Sequence, residues 1–534
     1  MVNKKRRKRT IKMKKVKRAL AYSLAAVFCL MAFNGCSEKK DASEKLEAGS
    51  ILDHKITDEP LVLTYFASMP GSYDEENNIF KAAFEHTNVM LKYAISENAG
   101  DMSQQLAVAV SSKDMADVIY QSSRSNFVSY GNQGAFIPLN DLIDKYAPNI
   151  KKYLDENEDV RKYITAGDGN IYYIPNILDG RTSSGWFIRQ DWLDKLGLKA
   201  PETIDELHDV LVAFKNNDPN GNGKADEVPL FGTGTPVRFA INEFIGIFDA
   251  EMGFRYENGK AIYGPTTENF KTAIKTLAKW YQEGLIDSEI FTRQNTREYF
   301  LGNDLGGCTH NWFGSTAGYN TMYANSVPGL KFLAMAPPAG YDGIKREKNA
   351  RSKSLQEGWA ISATNEHPEE TMKYFDYWWT EEGRRAANFG VEGKTYNMVD
   401  GKPEYTDFVL KNEELVPADA IRTTGAQTNF GYWQDWNYEA GYLNQIALDG
   451  MNLYINGGYL PEEIVMVVYT DEEEKRVSTL SAQITTCLEE TVQKWILGNE
   501  SVDAGFDAFV ENLNKLGLEE YTAIEQAAYE RYLK

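Results

Sequence analysis

A chain of 534 residues is too long for one hydrophobic core, so at least two domains or lobes are expected. Its 43% hydrophobic and 25% charged residues are ordinary for a globular protein, although 31 Tyr, 25 Phe and 10 Trp are a rich aromatic supply. The net charge of −20 is unevenly placed: residues 1–35 hold 11 Lys or Arg and no acid, which leaves 46 basic residues against 77 acidic ones, near −31. That balance excludes nucleic acid and anionic membrane surfaces as partners of the mature chain, since both need a basic face.

In chain order, a basic run at 4–18 precedes an apolar stretch at 19–33 and then Asn34-Gly35-Cys36. A positive start, an apolar segment of about 15 residues and a small residue before the cut describe a secretory signal, too short for a bilayer span. Met1 and Met13 both fit as the start. Residues 37–60 are polar and read as a tether.

Residues 61–66 read as a buried strand, broken by Ser68-Met69-Pro70-Gly71-Ser72. A helix over 78–86 puts Ile79, Phe80, Ala83 and Phe84 on one face. Strand 89–95, helix 102–110 and strand 117–120 continue an alternation that predicts βαβ units and a parallel sheet covered on both faces. Further on come short strands at 171–174 and 186–189. Asp191 reads as the N-cap of a helix closed by Gly197, and Thr203 with Glu206 as a capping box for a helix running to 214. An amphipathic helix covers 270–283. After about 365 helices dominate, at 369–379, 442–456, 472–497, 502–516 and 523–532.

The strongest local chemical signal lies at 218–227. Asp218, Asn220, Asn222 and Asp226 occupy loop positions 1, 3, 5 and 9, Gly223 permits a turn at 6, and Lys224 offers its carbonyl at 7. Alternating oxygen donors around a glycine suit a hard cation such as Ca²⁺, which takes six to eight oxygens. Position 12 of the EF-hand pattern is Pro229 here, so Glu227 is the expected substitute for the missing Glu. Nothing nearby suggests catalysis, so the ion is expected to be structural; a solvated Asn/Gly turn is the competing reading.

No phosphate loop, dinucleotide fingerprint, nucleophile elbow or HExxH zinc motif is present. His54, His86, His208, His310 and His367 are scattered, and Cys29, Cys36, Cys308 and Cys487 lack zinc spacing. A Cys308–Cys487 disulfide and two buried free thiols both remain open. No enzyme is expected.

Several segments carry a likeness. They are Lys113-Asp114-Met115-Ala116-Asp117-Val118-Ile119, then Phe136-Ile137-Pro138-Leu139-Asn140-Asp141-Leu142-Ile143, then Asp168-Gly169-Asn170-Ile171-Tyr172-Tyr173-Ile174-Pro175. The run Ile188-Arg189-Gln190-Asp191-Trp192-Leu193-Asp194-Lys195-Leu196-Gly197-Leu198 leads into the cation loop, and Phe389-Gly390-Val391-Glu392-Gly393-Lys394 follows later. In their order and spacing the chain resembles the extracellular solute-binding lipoproteins of bacterial ABC importers, the branch that includes oligosaccharide and alginate binders. The resemblance implies a type 2 periplasmic-binding-protein fold: two α/β lobes, a helix-rich second lobe and C-terminus, and a ligand cleft closed by a hinge. It also implies Ca²⁺ held by Asp218, Asn220, Asn222, Lys224, Asp226 and Glu227, and lipidation of Cys36 after removal of residues 1–35. Its partners would be a carbohydrate ligand, the membrane subunits of an importer, and the outer face of the cell membrane through the lipid, with the protein itself a monomer.

Expected boundaries are a tether at 36–58, a first lobe of 59–175 plus 306–365, and a second of 176–305 plus 366–534. A pyranose ring offers an apolar face to aromatic planes and a hydroxyl edge to amides, carboxylates and Arg. The rule that clefts lie beyond the C-terminal ends of parallel strands nominates Ser68 to Ser72 and Gln121 to Ser123. The aromatic candidates are Trp186, Trp312, Tyr319, Trp359, Trp433 and Trp436, each with core packing as the alternative. Trp312 falls in a glycine-rich loop, Trp359 follows Glu357-Gly358, and Trp433 and Trp436 lie in a dense run of aromatics and amides. Competing functions are a peptide-binding or adhesive surface lipoprotein and, further off, a polysaccharide-degrading enzyme.

Overall fold

The computed structural model describes residues 55–533, apart from 69–77, 96–101, 122, 233–236, 349–350, 413, 429–431 and 462–463. Cys36 and the leader lie outside the described residues, as do Met69 to Ser72 and Ser122. Fourteen strands are described: β1 (Leu61–Ser68), β2 (Val89–Ile95), β3 (Val118–Gln121), β4 (Ile174–Leu178), β5 (Ser184–Arg189), β6 (Val228–Leu230), β7 (Phe254–Glu257), β8 (Lys260–Tyr263), β9 (Gly306–Trp312), β10 (Phe332–Met335), β11 (Ser354–Ile361), β12 (Tyr396–Val399), β13 (Lys402–Tyr405) and β14 (Trp433–Gln434).

A six-stranded sheet has the order β14-β4-β11-β3-β1-β2, and a four-stranded one β10-β5-β9-β6; β7-β8 and β12-β13 are hairpins. In the first sheet β1 pairs parallel with β2 and β3, and β14 with β4. β11 runs antiparallel to both β3 and β4. The C-terminal ends of β1, β2, β3, β4 and β14 therefore share one edge. Asp117 pins β3 to β1: its carboxylate accepts from the Thr64 amide and hydroxyl, both at 2.7 Å.

The expected opening βαβ pattern is present, with helices Ile79–Thr87 and Met102–Ser112 joining β1, β2 and β3. Asn78 caps the first of these by accepting from Lys81 N. Two local expectations change. Arg189, not Asp191, precedes the helix Gln190–Leu196; Asp191 lies in its first turn and takes the Arg189 guanidinium at 2.6 and 2.9 Å. Thr203 caps Ile204–Asn216, but the Glu206 carboxylate accepts from Glu202 N, so only half of a capping box forms.

Alternation along β5 explains how the second sheet is buried on both faces: Trp186 and Ile188 enter one core with Trp192, Leu277, Leu488 and Trp495, while Phe187 enters another with Phe231, Phe300 and Phe313. The first core gathers Tyr65, Ile119, Trp359, Phe375 and Trp378. The two-lobed α/β architecture holds, but its chain crossings fall elsewhere than expected. β9 and β10, placed by expectation in the first lobe, belong to the second sheet. Helix Pro368–Tyr377 and residues up to Tyr438, expected in the second lobe, pack in the first core. The cause is apolar matching: Trp359 of β11 stacks on Phe375 at 4.0 Å between centroids, and Gly306 and Gly307 fit β9 against Phe231 and Phe214.

Cys308 and Cys487 are both free, so the disulfide alternative falls; burial pushes the Cys308 thiol far up. Among the described residues no helix is long and apolar enough to cross a membrane.

Candidate ligand cleft and cation loop

Leu178 ends β4 and Ser184 begins β5, so residues 179–183 carry the chain from one sheet edge to the other. In β9 the last residue, Trp312, lies opposite Ser184, so the second sheet presents its edge at the same crossing. Two edges thus meet: the C-terminal ends of β3, β4 and β14 on one side, the end of β9 on the other.

Arg351 ties the crossing together. Its guanidinium donates to both Glu439 oxygens at 2.7 and 2.9 Å, to the Asp179 carbonyl at 2.6 Å and to Ser183 Oγ at 2.8 Å. The Gln434 amide adds a bond to Glu439 at 3.0 Å. A second ion pair spans the lobes nearby. Arg124, at the start of helix Arg124–Asn132, meets Glu474 at 3.1 Å on the helix Asp471–Ile496, whose later turns are rooted in the second core. Beside it lies a cavity of about 640 Å³ lined by Ser123, Arg124, Ser352, Gln356, Tyr469 and Ser478 among others.

The six aromatic candidates separate sharply. Trp312 is 57% exposed at the sheet edge. Trp186 is 1% exposed, packed between Phe244 and His310, and Trp359 is fully buried. Tyr319 is buried as well, its hydroxyl donating to Glu298 and its ring stacked on Tyr323. These three are core residues, a correction to their expected place in the cleft. Trp433 and Trp436 are half-buried at the crossing. The Arg384 guanidinium sits 3.6 Å from the Trp433 ring centroid, and the indole N–H donates to Asp179 Oδ1 at 2.9 Å. Trp436 packs on Gly180, whose φ is +98° and where a Cβ would stand 3.0 Å from the indole ring. Ser68 ends β1 at the shared edge.

Two polar features stand out, of which sequence reasoning names only Gln121. Asn311, beside Trp312, has a buried side-chain N–H₂ without a hydrogen-bond partner; so does Gln121 at the end of β3. Buried amides without partners are costly, roughly 1–3 kcal/mol each. The second feature is His310, hydrogen-bonded to Glu347 at 2.8 Å in the interior. Burial disfavours its charge, but Glu347 and Glu243 outweigh that and raise its pKa. Strand alternation around Trp312 was the available signal for Asn311; nothing local pointed to Glu347.

The 218–227 loop precedes β6, at the end of that strand away from the crossing. Asp218 and Gly221 and Gly223 take positive φ values of 47°, 75° and 76°. Asp218 accepts from Asn222 N and Gly223 N, both at 3.0 Å, and Asn222 Oδ1 from Lys224 N at 2.8 Å. Asn220 and Asn222 both turn their amides towards Asp226. Glu227 is buried, and neither carboxylate oxygen makes a sound hydrogen bond. Burial, with Asp218 and Asp226 close by, raises its pKa against the pull of the Glu227 and Asn220 amides. Among the described residues no three His, Cys, Asp or Glu side chains converge as a metal group. The loop's donors are amides and carbonyls as well as carboxylates, and a sealed, unpaired Glu227 fits a hard cation.

Two α/β halves with facing strand edges and a short crossing at 179–183 are the architecture of a two-lobed solute-binding protein. Residues 67–385 match the bacterial extracellular solute-binding protein family, and the chain belongs to it. It is 28% identical to the fructooligosaccharide ABC transporter substrate-binding protein FusA of Streptococcus pneumoniae, over 96% of this chain and 97% of that one. It is also 24% identical to the polygalacturonan/rhamnogalacturonan-binding protein YtcQ of Bacillus subtilis, over 69% and 72%. Among solved structures, the alginate-binding protein AlgQ2 without calcium ion superposes with a TM-score of 0.81 and 36% identity, covering 91% of this chain and 100% of that one. These relatives are binding proteins, not enzymes, and the family is extracellular.

Proposed function

We propose that this chain is a lipid-anchored substrate-binding protein of an ABC importer, which captures an oligosaccharide between its lobes and closes about the crossings. The observation that carries the reading is the exposed Trp312 at the end of β9, opposite Ser184 where residues 179–183 cross between the sheets. An indole offers a flat face to a sugar ring. The carbohydrate-binding relatives support the same substrate class. Gly35-Cys36 after the apolar leader supports lipidation at Cys36, with the polar stretch that follows as tether at the outer face of the membrane. The short crossing at 179–183 supports a hinge there. We read the 218–227 loop as a structural Ca²⁺ site, held by Asp218, Asn220, Asn222, Asp226 and Glu227 with the Lys224 carbonyl.

A thermal-shift and calorimetric screen of the mature protein over oligosaccharides tests this. Binding stabilises only the folded state, so a true ligand raises Tm with concentration, and no new reducing ends appear. Peptide-induced shifts without any sugar-induced shift, or turnover of a polysaccharide, would overturn it.

A further inference from the structure

The helix Asp471–Ile496 is shared by both halves of the molecule. In its later turns Leu480, Ile484, Leu488 and Val492 are buried in the second core. Near its start it meets helix Arg124–Asn132, whose Phe127 and Val128 belong to the first core. Arg124 and Glu474 close that seam at 3.1 Å, with side chains only 6% and 10% exposed. At such burial neither water nor salt screens the attraction well.

Each partner is fixed to its own half. Arg124 Nε donates to the Tyr163 carbonyl at 2.8 Å and Nη2 to that of Thr165 at 3.3 Å, and the guanidinium lies 5.4 Å from the Tyr163 ring centroid. Tyr163 is itself part of the first core. On the other side Glu473, the chain neighbour of Glu474, accepts from Arg531 at 3.1 Å. Arg531 also donates to the Val468 carbonyl at 3.0 Å, and the Tyr469 hydroxyl donates to Glu525. Arg531 and Glu525 lie on the C-terminal helix Leu518–Tyr532, which packs on β8 and on Asp471–Ile496. Side chains held by different bodies cannot follow one another. A relative shift of about 1 Å carries the 3.1 Å contact past hydrogen-bond reach. The pair is therefore specific to one arrangement of the halves.

That arrangement leaves Trp312 57% exposed. A bound small ligand is commonly enclosed over about 70–90% of its surface, so enclosure against Trp312 needs the halves to move. The seam has room for it. The cavity of about 640 Å³ beside the pair is walled by Ser123 and Tyr163 of the first half, Gln356 of β11, Met466, and Val477 and Ser478 of the shared helix. A close-packed interface would resist sliding, and a void of this size does not.

We propose that Arg124 and Glu474 form a latch, which holds the halves in the arrangement that exposes Trp312 and is released when a ligand is captured. The proposal goes beyond the binding function and rests on the closure proposed above. A latched molecule is not competent to enclose its ligand, so the latch lowers affinity by the fraction of molecules it holds back. Removing it should tighten binding although neither residue faces the ligand.

The test uses the mature protein and three variants. Arg124→Met/Glu474→Leu removes both charges, so that no buried charge is left unpaired. Glu474→Gln keeps the volume and a weaker acceptor, and serves should the double variant not fold. Glu520→Gln is the control, since it breaks the exposed Arg476–Glu520 pair within the second half. In small-angle scattering without sugar, both latch variants are expected to show a smaller radius of gyration than the wild type, the double variant more so. Calorimetry with fructo-, malto- and galacturono-oligosaccharides is expected to give the double variant a Kd about three- to tenfold lower for whichever of these the wild type binds. Glu520→Gln should match the wild type in both measurements. Unchanged scattering from the latch variants, weaker sugar binding, or an equal shift in Glu520→Gln overturns the latch. If no sugar binds the wild type, the carbohydrate function fails, and the sugar-free scattering still decides the latch.

Discussion

Removing divalent cation is the sharpest perturbation the structure offers, because the 218–227 loop gathers Asp218, Asp226 and a Glu227 whose carboxylate is sealed without a partner. If the loop holds Ca²⁺, free ion at 100 times its Kd stabilises the fold by about 2.7 kcal/mol. A lobe of roughly 150–250 residues shifts by about 2–4 °C per kcal/mol, so chelation should lower Tm by about 5–11 °C. The assay is differential scanning fluorimetry at pH 7 with EDTA, repeated with excess Ca²⁺ and with Mg²⁺. Glu227→Gln keeps the volume and deletes the charge. In EDTA it should melt at or above the wild type, since burial already disfavours the Glu227 carboxylate, and it should lose most of the calcium response. The pH dependence follows in sign. Without metal, the raised pKa of Glu227 gives stability that is present at low pH and lost as pH rises through that value. Calcium needs the ionised form, so the gap made by EDTA should widen with pH. A wild-type Tm that moves by less than about 1 °C on chelation, or a Glu227→Gln protein as responsive as the wild type, refutes the loop as a cation site.

Three further outcomes are expected. Trp359→Ala should cost roughly 3–5 kcal/mol in denaturant unfolding, because Trp359 is fully buried against Phe375; a loss of sugar affinity with unchanged stability would place it in the cleft after all. Trp312→Ala should change stability by less than about 1 kcal/mol, yet weaken sugar binding about tenfold or more by calorimetry. Burial pushes Asp376 up to about 7, against the Ile150 and Asn149 amides that favour its charge. Its folded pKa therefore lies above the unfolded one, and its contribution is fully present below about pH 4 and lost as pH rises towards 7, on the order of 4 kcal/mol. Wild type minus Asp376→Asn should show that decline in urea titrations at pH 4 to 7; parallel profiles would discount the titration of Asp376.

The opening βαβ run was legible because helical and strand periods alternate cleanly between Leu61 and Gln121, with caps such as Asn78 at the junctions. The cation loop was legible because its chemistry is local in sequence. The cleft aromatics were not, and glycine is the reason. Gly358 precedes Trp359 and Gly185 precedes Trp186. In the fold they are strand positions where a Cβ would stand 2.2 Å from the Ile174 carbonyl oxygen or 2.5 Å from the Phe313 ring. The glycine-rich segment around Trp312 misled in the same way: Gly306 and Gly307 begin β9, crowded by Phe231, Phe300 and Phe214. Close approach between distant segments, not flexibility, selects these glycines. The lobe boundaries depended on the same long-range fits, such as Phe375 finding Trp359, which no window of sequence contains.

The place of β11 sets the order in which the molecule can be completed. That strand lies between β3 and β4, yet it is made only after the whole of β5 to β10 has intervened. Until Ser354–Ile361 arrives, β3 and β4 have no partner between them, and β4 gains its outer neighbour only with Trp433 and Gln434. A nascent chain leaving a cell thus carries an open seam in its first sheet from the end of β4 at Leu178 until Ser354 is made. Loop closure over such separations makes folding slow, which suits a protein that must stay threadable until it has been exported.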